Sequence, residues 1–117
     1  MKQQSSPLLP QVTFSIMFAL SLRPRHGYEI MQQVEHDSGG RVKLGPGALY
    51  GRLKELNEEN FIEEVPSEEA GDRRRYYRLT KKGWDRLGSE MDYYDQMVKL
   101  ANERRLLNSN LRMSRWV

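Results

Sequence analysis

Arg73, Arg74 and Arg75 stand in a run, with Arg78, Lys81 and Lys82 close behind and the carboxylates of Glu55, Glu58, Glu59, Glu63, Glu64, Glu68 and Glu69 ahead of them. A basic cluster binds phosphates when the fold presents it at an edge, and is a solvated turn when the fold does not. Upstream, Leu49, Leu53 and Leu56 recur at i, i+4 and i+7, the stripe of an amphipathic helix. Gly47, Gly51 and Lys54 fall on its opposite face, with Ala48 and Tyr50 on the flanks and Lys43 just before it. A helix with glycine on its outer face loses propensity. That loss is explicable if another surface must approach the backbone there. The same glycines also suit helix–helix packing, and Tyr50 suits either a hydroxyl contact to phosphate or base, or packing on a neighbouring helix.

Other chemistry is poorly supported. The 117 residues contain no cysteine, so neither a disulfide nor a thiolate metal site is available. His26 and His36 have no acid, serine or second histidine at a ligand or catalytic spacing. The glutamates read as solubility charges. Neither a nucleophile elbow nor a phosphate-binding or dinucleotide loop is present. No enzyme activity and no cofactor or metal is expected.

The leucine helix is entered through Gly45-Pro46, where proline suits the first turn. After it, Phe61 to Val65 and Tyr76 to Leu79 read as a β-hairpin around a charged loop, Pro66 to Asp72, which places the arginines on the return strand. Ahead of it, a first helix starts between Leu8 and Gln11 and runs to about Leu22. Arg23-Pro24-Arg25 breaks it, and a second helix covers Tyr28 to about His36, with Ile30, Met31 and Val34 inward. Helix, turn, helix, then hairpin is the order of a winged helix-turn-helix, whose reading helix suits the major groove of DNA and whose wing reaches phosphates or the minor groove.

A last helix is capped by Thr80 and runs to about Leu107. Trp84, Leu87, Met91, Tyr94, Val98 and Ala101 are spaced 3, 4, 3, 4, 3 along it, a heptad seam. The first helix is apolar nearly all round, which predicts burial on two sides, one against another subunit. The fold expected is thus mostly α with a small β-hairpin: a winged helix-turn-helix plus a long C-terminal dimerisation helix. The boundaries are 1–79 for the winged domain, 80–107 for the helix and 108–117 for a flexible tail, with residues 1–6 loose. The partners expected are double-stranded DNA and a second copy of the chain. Val12, Ile16, Trp84, Leu87, Met91, Tyr94 and Val98 are the dimer and effector candidates. The apolar run Val12 to Leu22, broken by Thr13, Ser15 and Ser21, is too short to cross a bilayer of about 30 Å. No signal peptide is evident, and a cytoplasmic location is expected.

The segments HGYEI at His26, GPGALYGRLKEL at Gly45 and DRRRYYRLTKKG at Asp72, in this order and spacing, resemble the PadR family of bacterial transcriptional regulators. The resemblance covers Val12 to about Leu100. It implies a winged-helix domain followed by a single C-terminal dimerisation helix. By the same resemblance, Tyr50 matches the family's recognition-helix tyrosine, Arg73 to Arg75 its wing basics, and Tyr76 and Tyr77 its strand tyrosines. It implies a repressor, released by a small and often aromatic molecule. Gly51 departs from the proline that follows the tyrosine in many relatives. A flat ligand stacked on Trp84 is the effector expected, against ordinary core packing of the indole. The alternative function is a winged-helix module for protein–protein contact, its arginines facing an acidic partner.

Overall fold

In the computed structural model, which describes residues 7–107, the elements follow in the order α1 (Gln11–Leu20), β1 (Arg25–His26), α2 (Gly27–Asp37), α3 (Pro46–Glu58), β2 (Ile62–Val65), β3 (Tyr76–Leu79) and α4 (Lys81–Glu103). The loose start at 1–6 and the tail at 108–117 lie outside the described residues. The chain divides into two compact units, Met1–Leu87 and Gly88–Val117.

The core of the first unit is made by the apolar faces that the periodicity marks. Leu49, Leu53 and Leu56 of α3 are buried together with Ile30 and Val34 of α2, Ile16, Met17 and Leu20 of α1, and Ile62 and Leu79 of the hairpin. Gly45 precedes α3 in extended conformation and Pro46 opens it, as the missing proline N–H allows. Asn60, in the left-handed region at φ 65°, closes α3: the Phe61 N–H donates to the Leu56 carbonyl at 3.0 Å, a C-terminal cap made with asparagine in the place usually held by glycine.

The sheet has three antiparallel strands in the order β1-β3-β2. The hairpin register sets Ile62 opposite Leu79 and Val65 opposite Tyr76. The third strand is a difference from the expectation: Arg25 and His26, read as part of a helix break, pair with Tyr77 and Tyr76. Two residues are too few to show a period of two, so their pairing depends on β3 being present. Arg25 is buried there and its Nε donates to the Ala19 carbonyl at 3.2 Å, near the end of α1 where a cation is favourable. Burial, with Arg23 nearby, lowers the pKa of Arg25 from its ordinary value.

Thr80 joins wing to last helix. Its hydroxyl accepts from the Gly83 N–H at 3.0 Å and donates to the Asn60 carbonyl at 2.6 Å. Gly83 is buried against the Phe61 carbonyl, where a β-carbon would collide with the backbone oxygen. Helix α4 ends at Glu103, short of Leu107, with Arg105 at φ 59° and the Leu106 N–H donating to the Ala101 carbonyl at 2.9 Å. In the second unit, Met91, Tyr93, Met97 and Val98 are exposed and the rings of Tyr93 and Tyr94 meet edge to face at 5.4 Å.

Candidate nucleic-acid interface

Helix α3 shows its bare face to solvent. Gly47, Ala48, Gly51 and Lys54 are exposed, as is Lys43 before the helix. A β-carbon built on Gly47 or Gly51 meets nothing within 4 Å, so neither glycine serves packing inside the subunit. The side of the helix away from the leucine stripe is thus smooth enough for a second surface to approach the backbone.

Tyr50 does two things at once. It is 50% exposed, and its hydroxyl lies against Gly27 at the start of α2, where any β-carbon would collide with it. Packing on the second helix and presentation of the ring edge to solvent are therefore compatible. Tyr50 lines an open cleft of about 490 Å³ together with His26, Gly27, Tyr28, Arg74, Arg75 and Tyr77. Arginine and tyrosine side chains and the N-terminal end of α2 line this cleft, residue types suited to a phosphate. Burial is the first cause that raises the pKa of the Tyr77 phenol, and the charge of Glu64 adds to it.

The wing arginines divide by surroundings. Arg73 is exposed and bonds to none of the described residues. Arg75 is 75% exposed and reaches Glu64 at 3.5 Å, a surface pair of small worth. Arg74 is held. Its Nε and Nη2 donate to the two oxygens of Asp72 at 2.9 and 3.0 Å, a fork-to-fork pair, and its backbone N–H donates to the same carboxylate at 3.0 Å. The Tyr76 hydroxyl donates to Asp72 at 2.8 Å. The hydrogen bond from Arg74 keeps the Asp72 carboxyl far below the usual carboxylate range. Asp72 in turn raises the Tyr76 phenol.

The remaining Arg74 nitrogen, Nη1, lies 2.9 Å from Nε2 of His26. His26 is buried, caps α2 by accepting from the Glu29 N–H at Nδ1 (3.3 Å), and stacks edge-on against Tyr76. A neutral imidazole has one acceptor nitrogen. Arg74 and the Glu29 N–H both ask for it, so the ring satisfies the wing or the helix cap, one tautomer for each. Glu29 completes a capping box by accepting from the His26 N–H, and Arg23, bonded to it at 2.8 Å, is the first cause that lowers its pKa.

Sequence reasoning set His26 aside as a lone structural histidine and did not connect Asp72 to Arg74. The Asp-x-Arg-x-Tyr spacing of 72, 74 and 76 carried a signal, since residues two apart share a side of an extended segment. The dimer and effector candidates also separate. Ile16 is fully buried and Leu87 is 4% exposed, both within the subunit's own core. Val12 and Tyr94 are half-buried. Trp84 at 48%, Met91 at 39% and Val98 at 48% are exposed. On α1, the free apolar surface belongs to Phe18, stacked on Phe14 at 5.6 Å, and not to Ile16.

The sequence model of the transcriptional regulator PadR-like family matches residues 16–89, the segment that holds the core, α3 and the hairpin. The chain belongs to the PadR-like family. Members of this family are transcriptional regulators, not enzymes. Among solved structures, a PadR family transcription regulator from hypervirulent Clostridium difficile is 29% identical, with a TM-score of 0.67 over 80% of this chain and 97% of that one. A PadR-like transcriptional regulator from Bacillus cereus has the same fold, with a TM-score of 0.67 at 23% identity over 83% of this chain and 92% of that one. A curated relative, an uncharacterized 37.1 kDa protein in a transposon of Streptomyces fradiae, is 41% identical over 75 residues, 64% of this chain. The chain spans 20% of that relative's length. The PadR assignment agrees with the expected winged-helix fold, to which the structure of this chain adds strand β1. Among the described residues no helix is long and apolar enough to cross a membrane, and no group of His, Cys, Asp or Glu could hold a metal ion.

Proposed function

We propose that this PadR-like chain binds double-stranded DNA as a homodimer, on an inverted-repeat operator, and represses transcription there. The carrying observation is the exposed Gly47/Gly51 face of α3, with open space over both glycines, next to a wing that offers Arg73 and Arg75. Lys43 and Lys54 add charge on either side of that face. A two-fold dimer would set two reading helices in major grooves about 10 base pairs apart or a multiple of that. The exposed Met91, Val98 and Trp84 on one seam of α4 support the dimer. Repression and release by an aromatic effector rest on the family resemblance, together with the half-exposed indole of Trp84 as a stacking surface. Such a ligand acts only by favouring one spacing of the two reading helices over another.

The test is selection of bound duplexes from a random pool, followed by titration of the selected duplex at several salt concentrations. An inverted repeat and a log–log salt dependence of several phosphates support the reading. Absence of any duplex binding, with capture of an acidic protein surface instead, would favour a protein–protein module. Quenching of indole fluorescence by phenolic compounds, lost in Trp84→Ala and accompanied by weaker operator binding, checks the effector.

A further inference from the structure

Arg74 stands between two exposed arginines and is itself 58% exposed, yet its guanidinium is tied to neighbours. Nε and Nη2 are engaged with Asp72, and Nη1 lies 2.9 Å from Nε2 of His26, which accepts from it in the tautomer that carries its proton on Nδ1. Asp72 also takes the hydroxyl of Tyr76, so one carboxylate gathers both residues at the root of β3. The far end of the network is the first residue before α2. The next residue, Gly27, is the one on which the Tyr50 hydroxyl rests. Wing and reading helix thus lean on two adjacent residues, 26 and 27, beside one cleft.

We propose that Arg74 is a positioning residue: with Asp72, Tyr76 and His26 it latches the wing to the start of α2, and so sets the spacing between the wing arginines and the Tyr50 edge of α3. Arg73 and Arg75 carry the wing's charge to phosphate. The inference rests on the DNA-binding reading and refines it. A phosphate that took the Nε/Nη2 edge of Arg74 would have to displace a bidentate carboxylate already held at 2.9 and 3.0 Å.

Charge alone and the latch predict opposite signs for one substitution. Asp72→Asn removes a negative charge beside the DNA, so an electrostatic wing would bind tighter. A latch would open, and the wing would lose its register against α3. The experiment measures fluorescence anisotropy of a labelled duplex selected from a random pool, for the full chain and for Asp72→Asn, Tyr76→Phe, Arg73→Ala and Arg74→Ala, across a salt series. Asp72→Asn is expected to weaken binding, by about tenfold if one charge-assisted contact's worth of positioning is lost. Tyr76→Phe, which removes a single hydroxyl and keeps the ring, is expected to change affinity in the same direction by less. Arg73→Ala lowers the log–log salt slope by about 0.9, as one lost phosphate contact does. Arg74→Ala lowers affinity and leaves that slope unchanged. The double variant Asp72→Asn/Arg74→Ala is little worse than either single one, since both open the same latch. Thermal unfolding of each variant separates loss of the latch from loss of the fold, because the buried core is untouched by these substitutions.

Tighter binding by Asp72→Asn, or a salt slope lowered by Arg74→Ala as much as by Arg73→Ala, overturns the latch and leaves the DNA reading standing. Failure of the wild-type chain to bind any duplex overturns both.

Discussion

Arg73 and Arg74 are chain neighbours of equal charge and unequal freedom, and the difference comes from one carboxylate two residues away. Because the hydrogen bond from Arg74 depresses the Asp72 pKa, the folded chain resists protonation that the unfolded chain accepts. Stability contributed by Asp72 is therefore fully present above the ordinary carboxylate value of about 3.9 and is lost as pH falls below it. Thermal midpoints of the wild type and Asp72→Asn should differ at neutral pH, and the gap should begin to narrow only as pH falls below about 4. Equal midpoints at neutral pH would show that the pair adds nothing to the fold. Tyr50 offers a second test at this scale. Its hydroxyl rests against Gly27 without a hydrogen bond to the described residues, so Tyr50→Phe should leave the thermal midpoint nearly unchanged and weaken duplex binding severalfold, about the worth of one hydrogen bond. Unchanged affinity would make the ring a packing residue only.

Helix α3 and the start of α4 use glycine for different reasons, which substitution distinguishes. Over Gly51 and Gly47 there is open space, and neither has a positive φ. Alanine there should raise helix stability by about 1 kcal/mol per site and the thermal midpoint by a few degrees. If DNA approaches this face, the same substitution should weaken operator binding. Stability up with affinity down is the expected pair of results. Stability up with affinity intact would remove the face from the interface. Gly83 has no such space, because its α-carbon sits against the Phe61 carbonyl. Gly83→Ala must move backbone and should cost about 1–3 kcal/mol, read as a lowered unfolding midpoint in denaturant.

For the whole molecule, association rests on the apolar surface left after the subunit's core is complete. Leu87 belongs to that core, so a charged residue there would unfold the chain and would say nothing about a dimer. Met91 and Val98 are exposed, one turn and three turns beyond the buried leucine. Met91→Asp with Val98→Asp should keep the thermal transition of the first unit and shift sedimentation from dimer to monomer. Apolar burial should make that equilibrium insensitive to salt, unlike DNA binding. A wild type that sediments as a monomer at micromolar concentration would remove the dimer from the proposal.

Periodicity and turn chemistry carried most of the fold. The stripe of Leu49, Leu53 and Leu56, the Gly45-Pro46 start and the Thr80 cap are local patterns, and local sterics and hydrogen bonds alone are enough to write them into a chain. The hairpin was legible for the same reason. Three things depended on the tertiary structure. Strand β1 exists only because β3 offers it partners, since two residues carry no period of their own. Which seam residues are core and which are surface was undecided by the heptad, because the spacing that puts Leu87 and Met91 on one stripe is blind to where the subunit ends. The partner of Arg74 was undecided by charge, because a run of arginines has the same formal charge whether its donors face phosphate or face Asp72 and a histidine 48 positions away.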